Sequence, residues 1–224
     1  KFLITLSLFL LLPMTLLFVF FNTRVSAELQ QRTSRTVLET LKQAKTPVDS
    51  MVSDTDFVSK EILADPSVQE YMQRCASTDP EKLYEFRYRV DLLLGSLLNS
   101  RDYILHTALF SRNGTLLTQN GAYQEGDRLP NGVDAEQLTM KPITWRPAAE
   151  NQAYVSRRDR GYEVSAIRPV NDLYRYGVTL GTEELTVSED YVCGLYSGQA
   201  EKSTKNICLI DLEGNVISSY DKEL

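Results

Sequence analysis

The run "FLITLSLFLLLPMTLLFVFF", Phe2 to Phe21, carries no charge. At about 1.5 Å per residue, a helix over this run spans roughly 30 Å, the hydrocarbon thickness of a bilayer. It predicts a transmembrane helix over residues 1–22. Pro13 is tolerable there, because neighbouring groups can satisfy the carbonyl it frees. A buried core helix is one rival reading, but such helices rarely run so long without a polar face. A cleaved signal peptide is the other, and "VSA" at Val25–Ala27 has the small residues of a cleavage site. A signal peptide's apolar region is only about 7–15 residues long. The expectation is an uncleaved anchor in the cell membrane, with the residues after it extracytoplasmic. The chain starts at Lys1 rather than Met and reads as a fragment, so the count of basic residues that sets orientation is incomplete.

The remaining chain is ordinary for a folded protein: 224 residues in all, 42% hydrophobic, 24% charged, net charge −6. Lys and Arg are scattered among acids, with no basic stripe, which excludes nucleic acid as a partner of this region. Cys75, Cys193 and Cys208 make no close metal-binding pair. They read as apolar fillers, with a Cys193–Cys208 bridge as the alternative.

Residues 23–64 form helix-favouring sequence without glycine. Val37, Leu41, Ala44, Val48, Met51, Thr55, Val58 and Ile62 step by four and three, a heptad seam. The second half of that seam suits packing on a domain. The first half suits pairing with a second copy of the chain, a homodimer. "TPVD" interrupts the helix: Thr46 can cap and Pro47 can open a new first turn. A kink or restart is expected at Thr46 and Pro47. The same grammar places helix starts at Asp65-Pro66 and Asp79-Pro80. The last of these carries Leu83, Phe86, Val90, Leu93, Leu94, Leu97 and Leu98, ending near Asn99.

Strand signals follow. "YILHTALFS", the turn "RNG" and "TLLTQ" read as a hairpin. "PNGVDAEQLTM" reads as a loop with a short helix and "ITWRPA" as a strand. "QAYVS" and "YEVSAIRPV" flank a turn in "RRDRG". "RYGVTLGTEELTV" reads as one long strand, and Ser188 as the cap of a further helix. "LIDLEGNVIS", Leu209 to Ser218, then repeats "LFSRNGTLLT", Leu109 to Thr118, a hundred positions later. The order helix, connector, strand, glycine turn, strand thus occurs twice. The fold class is α+β, with a first lobe over 65–187 and the beginning of a second over 188–224.

No catalytic motif, phosphate loop or metal-ligand pattern is present, and no cofactor is expected. His106, the single histidine, alternates with apolar neighbours in a strand and reads as a half-buried or rim imidazole. "NGT" at Asn113 is a formal glycosylation sequon, but Asn-Gly is first of all hairpin-turn chemistry. What remains is recognition. Trp145, Arg146, Tyr154, Tyr162 and Arg168 lie on neighbouring predicted strands. Aromatic walls with one or two cations suit a small anionic or zwitterionic ligand. Core aromatics with solvated arginines are the alternative. Tyr162, Val164, Ala166 and Arg168 alternate onto one face.

The order of these segments, "TALFSRNGTLLTQ", "SAIRPVND", "GVTLGTEELTVSEDYV" and "CLIDLEGNVISSYDKEL" behind a membrane helix and a long helix, resembles the extracytoplasmic double Cache region of bacterial sensor histidine kinases. It is most similar to the Gram-positive group whose response regulators carry AraC-type DNA-binding domains. The resemblance covers nearly the whole chain. It implies two PAS-like lobes stacked along the long helix, a ligand or partner protein outside the cell, and a kinase core beyond Leu224 that acts on a cognate response regulator. Many Cache domains bind amino acids through a motif in which Arg and Trp precede a Tyr; Trp145-Arg146-Pro147 departs from that order. The alternatives are the sensor region of a membrane-anchored AraC-type transcription regulator, or an exported, membrane-tethered binding protein or enzyme.

Overall fold

The computed structural model describes residues 2–75, 80–120, 129, 143–150, 161–197 and 207–220, without the side chains of 2–12, 16, 80–82 and 150. The chain divides into two compact units, 1–45 and 46–224. Helix α1, Phe2–Ala64, is continuous through both. No new helix start occurs at Thr46. Pro47 removes one intrahelical bond and crowds the turn before it, a cost of about 3 kcal/mol. The glycine-free helical sequence on both sides outweighs that cost.

In the first unit the seam is exposed at Val37 (40%) and Leu41 (48%) and buried at Ala44 (5%). The expected membrane span falls largely on side chains outside those described; among the described residues no helix is long and apolar enough to cross a membrane. From Thr46 onward the seam is buried at Val48, Met51, Thr55, Val58 and Ile62. That half packs on a domain, as its periodicity predicts.

Helix α2, Pro66–Arg74, opens on an Asp65 cap whose Oδ1 accepts from Ser67 N at 2.7 Å, with proline in the first turn. Helix α3, Pro80–Asn99, buries Val90 and Leu94 and leaves Tyr84, Tyr88 and Leu92 exposed. An antiparallel sheet follows, built from β1 (Ile104–Ser111), β2 (Leu116–Asn120), β3 (Thr144–Trp145), β4 (Ala149–Glu150), β5 (Tyr162–Asn171) and β6 (Thr179–Ser188). The order is β2-β1-β6-β5-β3, with β4 also on β5. The long strands β5 and β6 are buried on both faces through 164–170 and 181–187.

Side-chain bonds identify the face that carries the helices. Arg168 of β5 pairs with Asp56 of α1, Glu183 of β6 accepts from Ser59 of α1, and Thr118 of β2 donates to Asp91 of α3. Gly181 is required here: a Cβ would meet the Phe110 carbonyl oxygen and stand 2.6 Å from Met72 Cε.

Helix α4, Glu189–Ser197, starts on Ser188, whose Oγ accepts from Tyr191 N at 3.3 Å. Strands β7 (Cys208–Ile210) and β8 (Val216–Ser219) then form a separate two-stranded sheet. This hairpin repeats the first one bond for bond. Ser111 N donates to Thr115 O and Gly114 N to Ser111 O; Asp211 N donates to Asn215 O and Gly214 N to Asp211 O. Both strands slip register at the same place, between Leu109 and Phe110 and between Leu209 and Ile210. Gly114 and Gly214 take φ of 76° and 90°, the left-handed region that glycine enters freely. No disulfide joins Cys193 and Cys208 in this structure.

Candidate functional site

The sheet face opposite α1, α2 and α3 has an unusual centre. Strand alternation places His106 of β1, Thr182, Glu184 and Thr186 of β6, and Glu163 and Ser165 of β5 on that side. Most of these are buried: His106 is 3% exposed, Ser165 7%, Glu184 1% and Thr186 0%. Burying polar side chains is costly unless each finds a partner. A sheet selected only for stability would carry Val and Ile at these positions. A polar centre there departs from that pattern and marks the face as a candidate functional site.

The side chains pair across strands. His106 Nε2 lies 3.2 Å from Glu163 Oε2, and Ser165 Oγ lies 3.1 Å from Thr186 Oγ1. Arg146, just past β3, brings Nη1 to 3.5 Å from Glu184 Oε1 and is fixed by its backbone N–H bonding Ser165 O at 2.8 Å. Thr144 Oγ1 is buried without a hydrogen-bond partner. One cation, two carboxylates, an imidazole and several hydroxyls thus converge on a small area. Such a set can grip a small polar molecule by charge-assisted hydrogen bonds. Among the described residues no group of His, Cys, Asp and Glu is arranged to hold a metal ion.

Of the residues nominated from sequence, Arg146 belongs to this site. Arg168 does not: it sits on the helix-covered face, 7% exposed, with its guanidinium on Asp56. Tyr162 and Trp145 follow the same alternation as Arg168, Trp145 pairing with Ala166 and Tyr162 with Glu150. Tyr154 lies outside the described residues. The alternation of Tyr162, Val164, Ala166 and Arg168 is correct, but their shared face is the one on which Arg168 meets Asp56 of α1. His106 is buried inside the site, not at a rim. Glu163, Ser165, Glu184 and Thr186 were missed. The signal for them is "GTEELTV": two adjacent acids in the middle of an apolar strand must point to opposite faces, and both faces are buried.

No family model and no curated protein sequence matches this chain. Solved structures do. The ligand-binding domain of the Campylobacter jejuni chemoreceptor Tlp3, in complex with 4-methylisoleucine, is 16% identical with a TM-score of 0.53, over 83% of this chain and 68% of that one. The ligand-binding domain of the Pseudomonas aeruginosa amino acid chemoreceptor PctB, in complex with L-Arg, is 15% identical with a TM-score of 0.51, over 81% and 68%. The extracellular domain of vpHK1S-Z8, described as a histidine kinase, is 12% identical with a TM-score of 0.58, over 86% and 72%. The chain has the α+β fold of these extracellular sensor domains, a long N-terminal helix against an antiparallel sheet.

Proposed function

We propose that the chain is the extracytoplasmic sensing module of a membrane sensor histidine kinase, anchored by the apolar run Phe2–Phe21. The observation that carries the sensing role is the buried polar centre of the sheet, where Arg146 meets Glu184 at 3.5 Å beside His106 and Glu163. Arg146 suits a carboxylate and the two glutamates suit an ammonium, so the ligand class is an amino-acid-sized zwitterion. The solved sensor domains with this fold hold amino acids in two of the cases above.

Ligand binding shifts the module between two conformations only to the extent that it favours one of them. Helix α1 is bonded to the sheet at Asp56 and Ser59 and is continuous to Phe2, so it is the element that carries the shift. Thr46 and Pro47, where one intrahelical bond is missing, are where the helix changes shape or register within a homodimer. The kinase core, a cognate response regulator with an AraC-type DNA-binding domain, and a second Cache lobe built on α4 and the β7–β8 hairpin complete this reading. Its test is a fusion of the chain to the core of a characterised kinase. Autophosphorylation should respond to ligand, and Pro47→Ala should change that response while the fold persists. Output indifferent to every ligand that binds the chain contradicts the reading.

A further inference from the structure

Glu183 and Arg168 face each other directly across the β5–β6 ladder, on the side of the sheet that α1 covers. Glu183 is 1% exposed and Arg168 7%. Side chains directly opposite have Cβ atoms about 4.5–5.5 Å apart, close enough for these two to pair. They do not. Arg168 Nη2 donates to Asp56 Oδ1 of α1, and Ser59 Oγ of α1 donates to Glu183 Oε2. Glu183 Oε1 and Arg168 Nε are both buried without a hydrogen-bond partner. Asp56 and Ser59 stand three residues apart, on one face of α1. The helix therefore occupies both strand residues at once and leaves an orphaned atom on each.

The charged surroundings are sparse. From β5 comes Arg168. From α1 come Ser59 and, around Arg168, Asp56 with Lys60 bonded to it at 2.6 Å. From β1 the residue in register is Leu109, which carries no charge. Burial outweighs the Ser59 bond and the Arg168 charge and pushes the Glu183 carboxyl up to about 8. Burial thus favours the neutral carboxyl while Arg168 is held by Asp56.

We propose that Arg168 is a two-position latch, holding Asp56 while α1 is seated and turning to Glu183, which gives up its proton, when α1 moves. The inference rests on the reading of α1 as the signalling element. When α1 moves it takes Asp56 and Ser59 with it. A buried guanidinium left without a counter-charge is strongly unfavourable. Glu183 supplies the replacement: its O–H bond breaks, the proton passes to solvent water, and the carboxylate pairs with Arg168. Seating α1 takes up one proton and releasing it returns one, so raising pH favours the released state.

Infrared difference spectroscopy of the full chain without ligand, titrated from about pH 5 to about pH 9, tests this. The wild type should show a protonated-carboxyl band that is lost with a midpoint near 8, and Glu183→Gln should lack it. In Asp56→Asn, Arg168 is freed toward Glu183 and the midpoint should fall by about one pH unit or more. The wild type and Asp56→Asn decide the matter even if Glu183→Gln fails to fold. Absence of the band in the wild type at neutral pH, or an unmoved midpoint in Asp56→Asn, overturns the latch. Because no ligand is present, failure here leaves ligand binding at Arg146 intact, and failure to bind ligand leaves this titration intact.

Discussion

Arg101 holds Asp54 with two nitrogens, Nε 2.9 Å from Oδ2 and Nη2 3.0 Å from Oδ1. Tyr103, two residues on, donates to the same carboxylate and stacks on Tyr191 of α4 with ring centroids 4.9 Å apart. One carboxylate on α1 thus ties the helix to the start of the sheet, and through Tyr103 to α4.

Asp54→Ala should destabilise the chain by about 1 kcal/mol, modest because the carboxylate is partly exposed. The Arg101 bond, ahead of the opposing effect of burial, lowers the Asp54 pKa below its ordinary value. The unfolded state therefore takes up the proton first as pH falls. The stabilisation is full above the unfolded pKa, about 4, and is lost as pH drops through the lower folded value. Acid denaturation of the wild type and Asp54→Ala should converge once pH has fallen below the lowered folded value; a difference that persists there contradicts this role.

Gly181→Ala and Gly177→Ala should separate crowding from backbone strain. At Gly181 the added methyl meets the backbone of β1, which cannot yield, and about 3 kcal/mol or more is expected. At Gly177, φ is 76° with open space around it, so only the left-handed conformation is penalised, by about 1 kcal/mol. Denaturant midpoints give the order; equal losses would show that the β1–β6 contact is loose.

The β7–β8 hairpin is fastened by a buried chain of hydrogen bonds. Tyr196 Oη lies 2.7 Å from Ser218 Oγ, which donates to Glu189 Oε1 at 2.6 Å. Two strands alone are marginal in water, so this chain should control the hairpin's opening. Tyr196→Phe and Ser218→Ala should each cost about 1 kcal/mol, and the double variant clearly less than their sum. Hydrogen exchange at Leu209 and Ile217 should quicken in all three. Additive losses without faster exchange contradict the fastening.

Local features were legible where one short segment determines the outcome. The Asp65 and Ser188 caps, the long strands β5 and β6, and both glycine turns follow from residues within a few positions of each other. The Thr46 restart failed because a cap signal competes with the helical sequence on both sides, and the longer stretch wins. Arg168 failed differently. Alternation says which side chains share a face, but only the strand order, with β6 between β1 and β5, says what that face meets. The same non-local pairing brings together His106 and Glu163, 57 residues apart along the chain, and Ser165 and Thr186, 21 apart.

The most direct measurement is a thermal-shift titration of the full chain with free amino acids, simple amines and short carboxylates, on the wild type and on Arg146→Ala. A ligand at a hundred times its Kd stabilises the folded state by about 2.7 kcal/mol, a readily seen rise in Tm. The wild type should rise with at least one amino acid, and Arg146→Ala should need roughly tenfold more of it for the same shift. No shift with any compound in the wild type, or the same dose response in Arg146→Ala, contradicts a ligand site on this face of the sheet.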